Sequence, residues 1–141
     1  MPTDSLSQLR RDEGESRRLY YLEGIPHIGI GHNLKARAIS KAAVEQIFHD
    51  DYEDIEAELL ARCPLYRLGG LSAPRRGVLM NMAFAMGVTG VLEFHHLLDR
   101  LAAGDYAGAA TEITNSTFGR DPETRDRAAR LEVQMRDDVW V

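Results

Sequence analysis

The chain has 141 residues, of which 44% are apolar types and 28% are charged. That suits one globular domain, or two small lobes sharing one core, and excludes a disordered or fibrous chain. Its 17 Lys and Arg against 22 Asp and Glu leave a net charge of −5, which argues against a general nucleic-acid or anionic-membrane binder, because either needs a basic surface.

The N-terminus, MPTDSLSQLRRDEGE, is polar throughout and predicts no signal peptide. Residues 4–13 read as a short helix, capped by Thr3 or Asp4, striped by Leu6 and Leu9, and stopped by Gly14. Over residues 17–31 the period changes. Aromatic and β-branched residues alternate around Glu23-Gly24, which is a hairpin signal. Pro26 cannot donate to a ladder, so its strand is expected at an edge or to begin there. Ser40 then caps a helix running to about Leu60, with Val44, Ile47, Phe48, Ile55 and Leu59 on one face.

Cys63-Pro64 and Gly69-Gly70 break the chain. The lone Cys63 can form no internal disulfide, so an oxidising compartment is not expected. Residues 72–86 form a nearly all-apolar helix ended by Gly87, and read as the central core helix. The uncharged stretch Gly77 to Leu92 falls short of the ~20 residues a membrane span needs. Helical pieces follow at about 91–103, 105–114 and 123–136, separated by Gly104-Asp105, by Asn115 to Asp121 and by Pro122.

The charge is unevenly spread. Residues 42–61 hold Glu45, Asp50, Asp51, Glu53, Asp54, Glu56 and Glu58, and no Lys or Arg. Such a run ordinarily means a solvated helix face. Asp51 is the exception, because steps of four from Ile47 reach Asp51 and then Ile55, placing it on the apolar face, where a carboxylate needs a partner.

Helical spacing puts Glu13 on the face of Leu6 and Leu9, turned toward the core at the end of its helix. Desolvation and the negative end of the helix dipole both favour a protonated acid there, which is what protonating a leaving group requires. In the second hairpin strand, alternation sends Ile28 and Ile30 to one side and His27, Gly29 and Gly31 to the other. The second side would be a flat glycine floor with one titratable side chain at its end, wide enough for a polymer or simply tightly packed.

LRRDEGE, then GIPHIGIGHNL, then SAPRRGVLMNMAFAMGVTGV resemble the bacteriophage-type lysozymes (endolysins, glycoside hydrolase family 24), from about Leu6 to Trp140. The resemblance implies a mainly α, lysozyme-like α+β fold: one domain over 1–141, with a small β lobe at 14–40, a connecting helix at 41–61, and a helical lobe at 62–141 onto which 1–13 packs. It implies that Glu13 is the general acid and that His32 pairs with Asp51. Gly29, Asn33, Phe84, Leu97 and Glu112 would contact substrate. Asn81 would face the cleft, and Arg127, or Arg125 if the gap is placed differently, would steady the acid.

Two departures from the family pattern stand out. The family has an Asp between the hairpin Tyr and the turn Gly, and a Thr just before IGIGH; together they position the attacking water. Here the turn reads Tyr20-Tyr21-Leu22-Glu23-Gly24 with no Asp, and His27 stands at the Thr position. Only Asn33 to Ile39 separate His32 from the long helix, so the substrate lobe is expected to be reduced.

The function expected from this resemblance is that of a muramidase cleaving between N-acetylmuramic acid and N-acetylglucosamine, with Glu13 donating the proton. An imidazole is largely neutral and basic near pH 7, so His27 can serve as base, water-holder or nucleophile. The other reading is a degenerate lysozyme fold that binds peptidoglycan or a protein without hydrolysis. No cofactor or metal is expected, since His95-His96 and His49-Asp50-Asp51 lack open-site ligand spacing. Peptidoglycan is the expected partner of a monomer that binds no nucleic acid and inserts into no membrane. It would be made in the host cytoplasm and act on the wall after release at lysis.

Overall fold

In a computed structural model the chain is mainly α with a small antiparallel sheet, and all residues are described except Thr3, Leu68, Gly69 and the side chain of Arg67. It divides into two compact units, residues 1–48 and 49–141.

The first unit opens with α1 (Ser5–Glu13). Asp4 caps it, accepting the Ser7 N–H at 2.7 Å and the Ser7 hydroxyl at 2.8 Å. Those bonds hold the Asp4 carboxyl below its usual value, the Ser7 amide first. The alternative cap, Thr3, lies outside the described residues. Strands β1 (Ser16–Leu22), β2 (Ile25–Gly29) and β3 (His32–Asn33) then form a sheet in that order. Leu22 pairs with Ile25 across a two-residue turn, Glu23 (φ 51°) and Gly24 (φ 76°). Positive φ at both positions is the turn whose twist suits a hairpin.

Two expectations for this unit are corrected, and the structure decides between the two alternatives for the Pro26 strand. β2 is the middle strand, not an edge, and it begins at Ile25 beside the proline. It accommodates Pro26 as its second residue, short of the His27 and Ile28 positions that pair with β3. Alternation does not continue through the glycines, because Gly29 and Gly31 both take positive φ (70° and 67°) and turn the chain back as β3. The glycines make a bend rather than a floor. Finally, α1 buries no residue, and Leu6 and Leu9 are 77% and 52% exposed. Two leucines in nine residues are too little apolar surface to bury a helix face.

Helix α2 (Lys41–Arg62) starts where Ser40 caps Ala43, and it carries the unit boundary within it. Its apolar face is uneven: Val44, Ile47 and Phe48 are each about half exposed, whereas Ile55 packs on the core and Leu59 is fully buried. Asp51 is exposed, lying between the half-exposed Ile47 and the partly buried Ile55 on that face. This replaces the buried carboxylate expected there.

The second unit holds the core. After a one-turn α3 (Pro64–Arg67), which the sequence reading missed, comes α4 (Ala73–Leu92), capped by Ser72. Part of the expected break at Gly69-Gly70 lies outside the described residues. Gly87 (φ 79°) interrupts α4 as expected, yet helix resumes to Leu92, so α5 spans only His95–Ala102 rather than starting near 91. Helix α6 (Tyr106–Thr114) follows its Asp105 cap. A short α7 (Thr117–Arg120), capped by Ser116, occupies what the sequence suggested was a separator. Helix α8 (Arg125–Asp137) packs against α6, α7 and α4. Leu59, Leu79, Met82, Leu97, Ile113 and Met135 fill the centre. Cys63 is buried among them, as a packing residue. No single helix among the described residues is long and apolar enough to cross a membrane.

Candidate active site

The first unit assembles its chemical groups from the end of α1 and the bend between β2 and β3. Glu13 closes α1, and Gly14 (φ 71°) returns its N–H to the Arg10 carbonyl at 3.1 Å. Glu13 is exposed rather than turned into an apolar core. Its carboxylate instead rests on Gly31: a Cβ there would lie 2.9 Å from Oε2 and 3.2 Å from Cδ. The positive φ favours glycine at position 31, and a Cβ there would push the exposed, flexible end of Glu13 aside. The nearby arginines pair locally on the surface, Arg10 with Glu15 at 3.0 Å and Arg11 with Asp12 at 2.8 Å. Pairs so exposed contribute little stability.

His27 is half-buried on β2, directly opposite Tyr20 of β1 and Asn33 of β3. The Tyr20 and His27 rings stack with centroids 5.5 Å apart and an interplanar angle of 27°. The His27 Nδ1 lies 2.9 Å from the Ile25 carbonyl. Asn33 uses its Oδ1 to accept the Lys35 and Ala36 amides, which shapes the turn after β3. His32 has its Nε2 3.1 Å from the Arg37 carbonyl. Tyr20 is the member of this group that the sequence reading missed; the signal available was its register opposite His27 across a two-residue turn.

The remaining expected residues lie in the second unit. Arg127 and Asn81 meet there: the guanidinium donates through Nε to the Asn81 side-chain oxygen and through a terminal nitrogen to the Asn81 carbonyl at 2.9 Å. Arg125 is exposed and lies 3.8 Å from the Asp126 carboxylate. Leu97 and Glu112 come together in the wall of a cavity of about 640 Å³ that Phe94, His96, Phe118 and Asp121 also line. Phe84 does not line that cavity; it packs on the core, with its ring 6.3 Å from Tyr52. Among the described residues no three His, Cys, Asp or Glu side chains converge as a metal site would require.

The comparisons with known proteins agree with one another. The phage lysozyme family profile matches residues 10–123. The pre-baseplate central spike protein Gp5 of Enterobacteria phage T4 is 29% identical over 160 aligned positions, covering 92% of this chain and 27% of that protein. The chain thus spans about a quarter of that relative's length. An alignment longer than the chain also means that the relative carries residues with no counterpart here. With its profile match running from the end of α1 through the sheet, α2 and the helices up to residue 123, the chain belongs to the phage lysozyme family.

Proposed function

We propose that the chain is a muramidase that hydrolyses the β-1,4 bond between N-acetylmuramic acid and N-acetylglucosamine in bacterial peptidoglycan. Glu13 protonates the departing glycosidic oxygen while water attacks the anomeric carbon. His27 holds that water and takes its proton, the part that a second carboxylate plays in most glycosidases. Attack by water in one step gives inversion. No cofactor enters the reaction, and the enzyme works as a monomer on the wall after release at lysis.

The observation that carries this reading is the seat of the Glu13 carboxylate on Gly31, at the turn that joins the two strands behind it. Gly29, at the same bend and with a similar positive φ, has no side chain over it, so the carboxylate sits at one glycine of the two. Glu13→Gln removes the proton and keeps the shape. It should slow turbidity loss of purified walls by ~10²–10⁴-fold with an unchanged melting temperature. Retention of more than half the activity would refute the assignment. Proton NMR of the first-formed anomer reads inversion against retention.

A second reading is favoured by the hairpin itself. The Glu23-Gly24 turn joins Leu22 directly to Ile25 and carries no Asp, so the fold could bind walls without cutting them. Walls that pull the protein down yet lose no turbidity would establish that reading.

A further inference from the structure

We infer that Tyr20 is a positioning residue for His27, holding the imidazole in the single tautomer whose Nε2 is the basic nitrogen; this rests on the reading of His27 as the group that takes the water proton. The argument begins with the Ile25 carbonyl. A carbonyl oxygen has no proton to give, so at 2.9 Å from His27 Nδ1 it must accept, and Nδ1 must carry the hydrogen. In the neutral ring the lone pair then sits on Nε2, the nitrogen at the far edge.

A hydrogen bond alone leaves the ring free to swing about it. The Tyr20 ring removes that freedom: it lies at 27° to the imidazole with the centroids 5.5 Å apart, so the plane of His27 is set by a flat neighbour. The pairing is built into the backbone. Tyr20 and His27 are direct partners in the register, two steps in from the turn pair Leu22 and Ile25. The same tight turn that leaves out an Asp therefore delivers an aromatic platform and a carbonyl to the substituting histidine. On its other flank His27 faces Asn33, whose side-chain oxygen is committed to the Lys35 and Ala36 amides. Tyr20 and Ile25 thus orient the ring, and neither touches the reacting atoms.

Long-range proton–nitrogen NMR on the ¹⁵N-histidine protein, with His27 identified by its loss in His27→Ala, reads the tautomer without altering Tyr20. The expected result is a protonated Nδ1 and an unprotonated Nε2; the reverse pattern in the unaltered protein overturns the proposal. Tyr20→Val keeps strand propensity but removes the platform, and should give mixed tautomers and about tenfold slower wall lysis, as loss of orientation does. Tyr20→Phe should restore both the tautomer and the rate, because the ring and not the hydroxyl sets the plane. If Tyr20→Val changes neither the tautomer nor the rate while His27→Ala is inactive, the positioning role falls and the catalytic reading of His27 stands. If His27→Ala lyses walls at the normal rate, the catalytic reading itself falls, whatever the tautomer.

Discussion

Residues 1–48 and 49–141 differ in kind. Among the described residues every buried apolar side chain belongs to the second unit, whereas the first buries none and leaves Leu6, Leu9, Leu19, Tyr21 and Leu22 at least half exposed or nearly so. Yet it is the first unit that brings Glu13 onto Gly31 and stacks Tyr20 on His27. The second unit is held by packing. The first is held by caps, a tight turn and backbone pairing, which orient polar groups without covering them. Glu13 at the end of α1 is exposed and His27 on β2 is half-buried, while the burial that stabilises the chain lies in the second unit.

That contrast can be broken most directly by core truncation. Leu79→Ala removes a fully buried side chain from α4 and should cost ~2–5 kcal/mol in urea denaturation. Val44→Ser, at a position 47% exposed, should stay within about 0.5 kcal/mol. Equal losses would show that the first unit is packed as tightly as the second. Next in size is Asn81→Ala, which takes the side-chain acceptor from the half-buried Arg127 and should destabilise by ~1–3 kcal/mol. A thermal melt checks it, and no change would mean that the pair is not a brace.

A sharper comparison lies inside the first unit. Gly29 and Gly31 share positive φ, but only Gly31 has the Glu13 carboxylate over it. Alanine at either position should cost roughly 1 kcal/mol or more for the backbone alone. Only Gly31→Ala should also slow wall lysis severalfold, because it displaces the carboxylate. Equal effects on the lysis rate would detach Gly31 from the chemistry.

Smaller still are two pH effects, one in each unit. Burial, and after it the negative charge of Glu56, pushes the Tyr66 hydroxyl up to about 12. The folded state thus favours the neutral phenol. Its contribution is whole below the ordinary tyrosine value near ~10, and is lost as pH rises through about 12. Tyr66→Phe should flatten the alkaline limb of the stability profile between those values. The Asp4 cap works in the opposite direction. Its carboxyl is lowered, so its stabilisation is full above the ordinary value of 3.8 and is lost as pH falls below it. Asp4→Ala should remove that small acid-side dependence from the helical signal.

Much of the fold was legible because it is locally encoded. The Asp4 and Ser40 caps, the Glu23-Gly24 turn, and the glycine interruption at Gly87 each depend on a few adjacent residues, and each stands where the residue types put it. Elements of one turn escaped notice, since α3 and α7 are too short to show a period. The motif residues Glu13, Gly31 and His27 could be singled out from spacing and from the family resemblance, although their surroundings could not.

Sequence by itself placed the longer helices, the hairpin and the central apolar helix, and named Glu13 and His27 as candidates for acid–base chemistry. It overreached where it took an apolar face for a buried one. Leu6, Leu9, Val44 and Ile47 recur at helical spacing yet stay exposed, because periodicity states which residues share a face and not whether anything covers it. Tertiary structure alone decided that the Glu13 carboxylate rests on Gly31, that Tyr20 lies against His27, and that Arg127 rather than Arg125 meets Asn81. Each of these joins residues brought together by strand register, a backbone bend or helix packing, and such long-range contacts depend on how the elements assemble rather than on the residue types of any one segment.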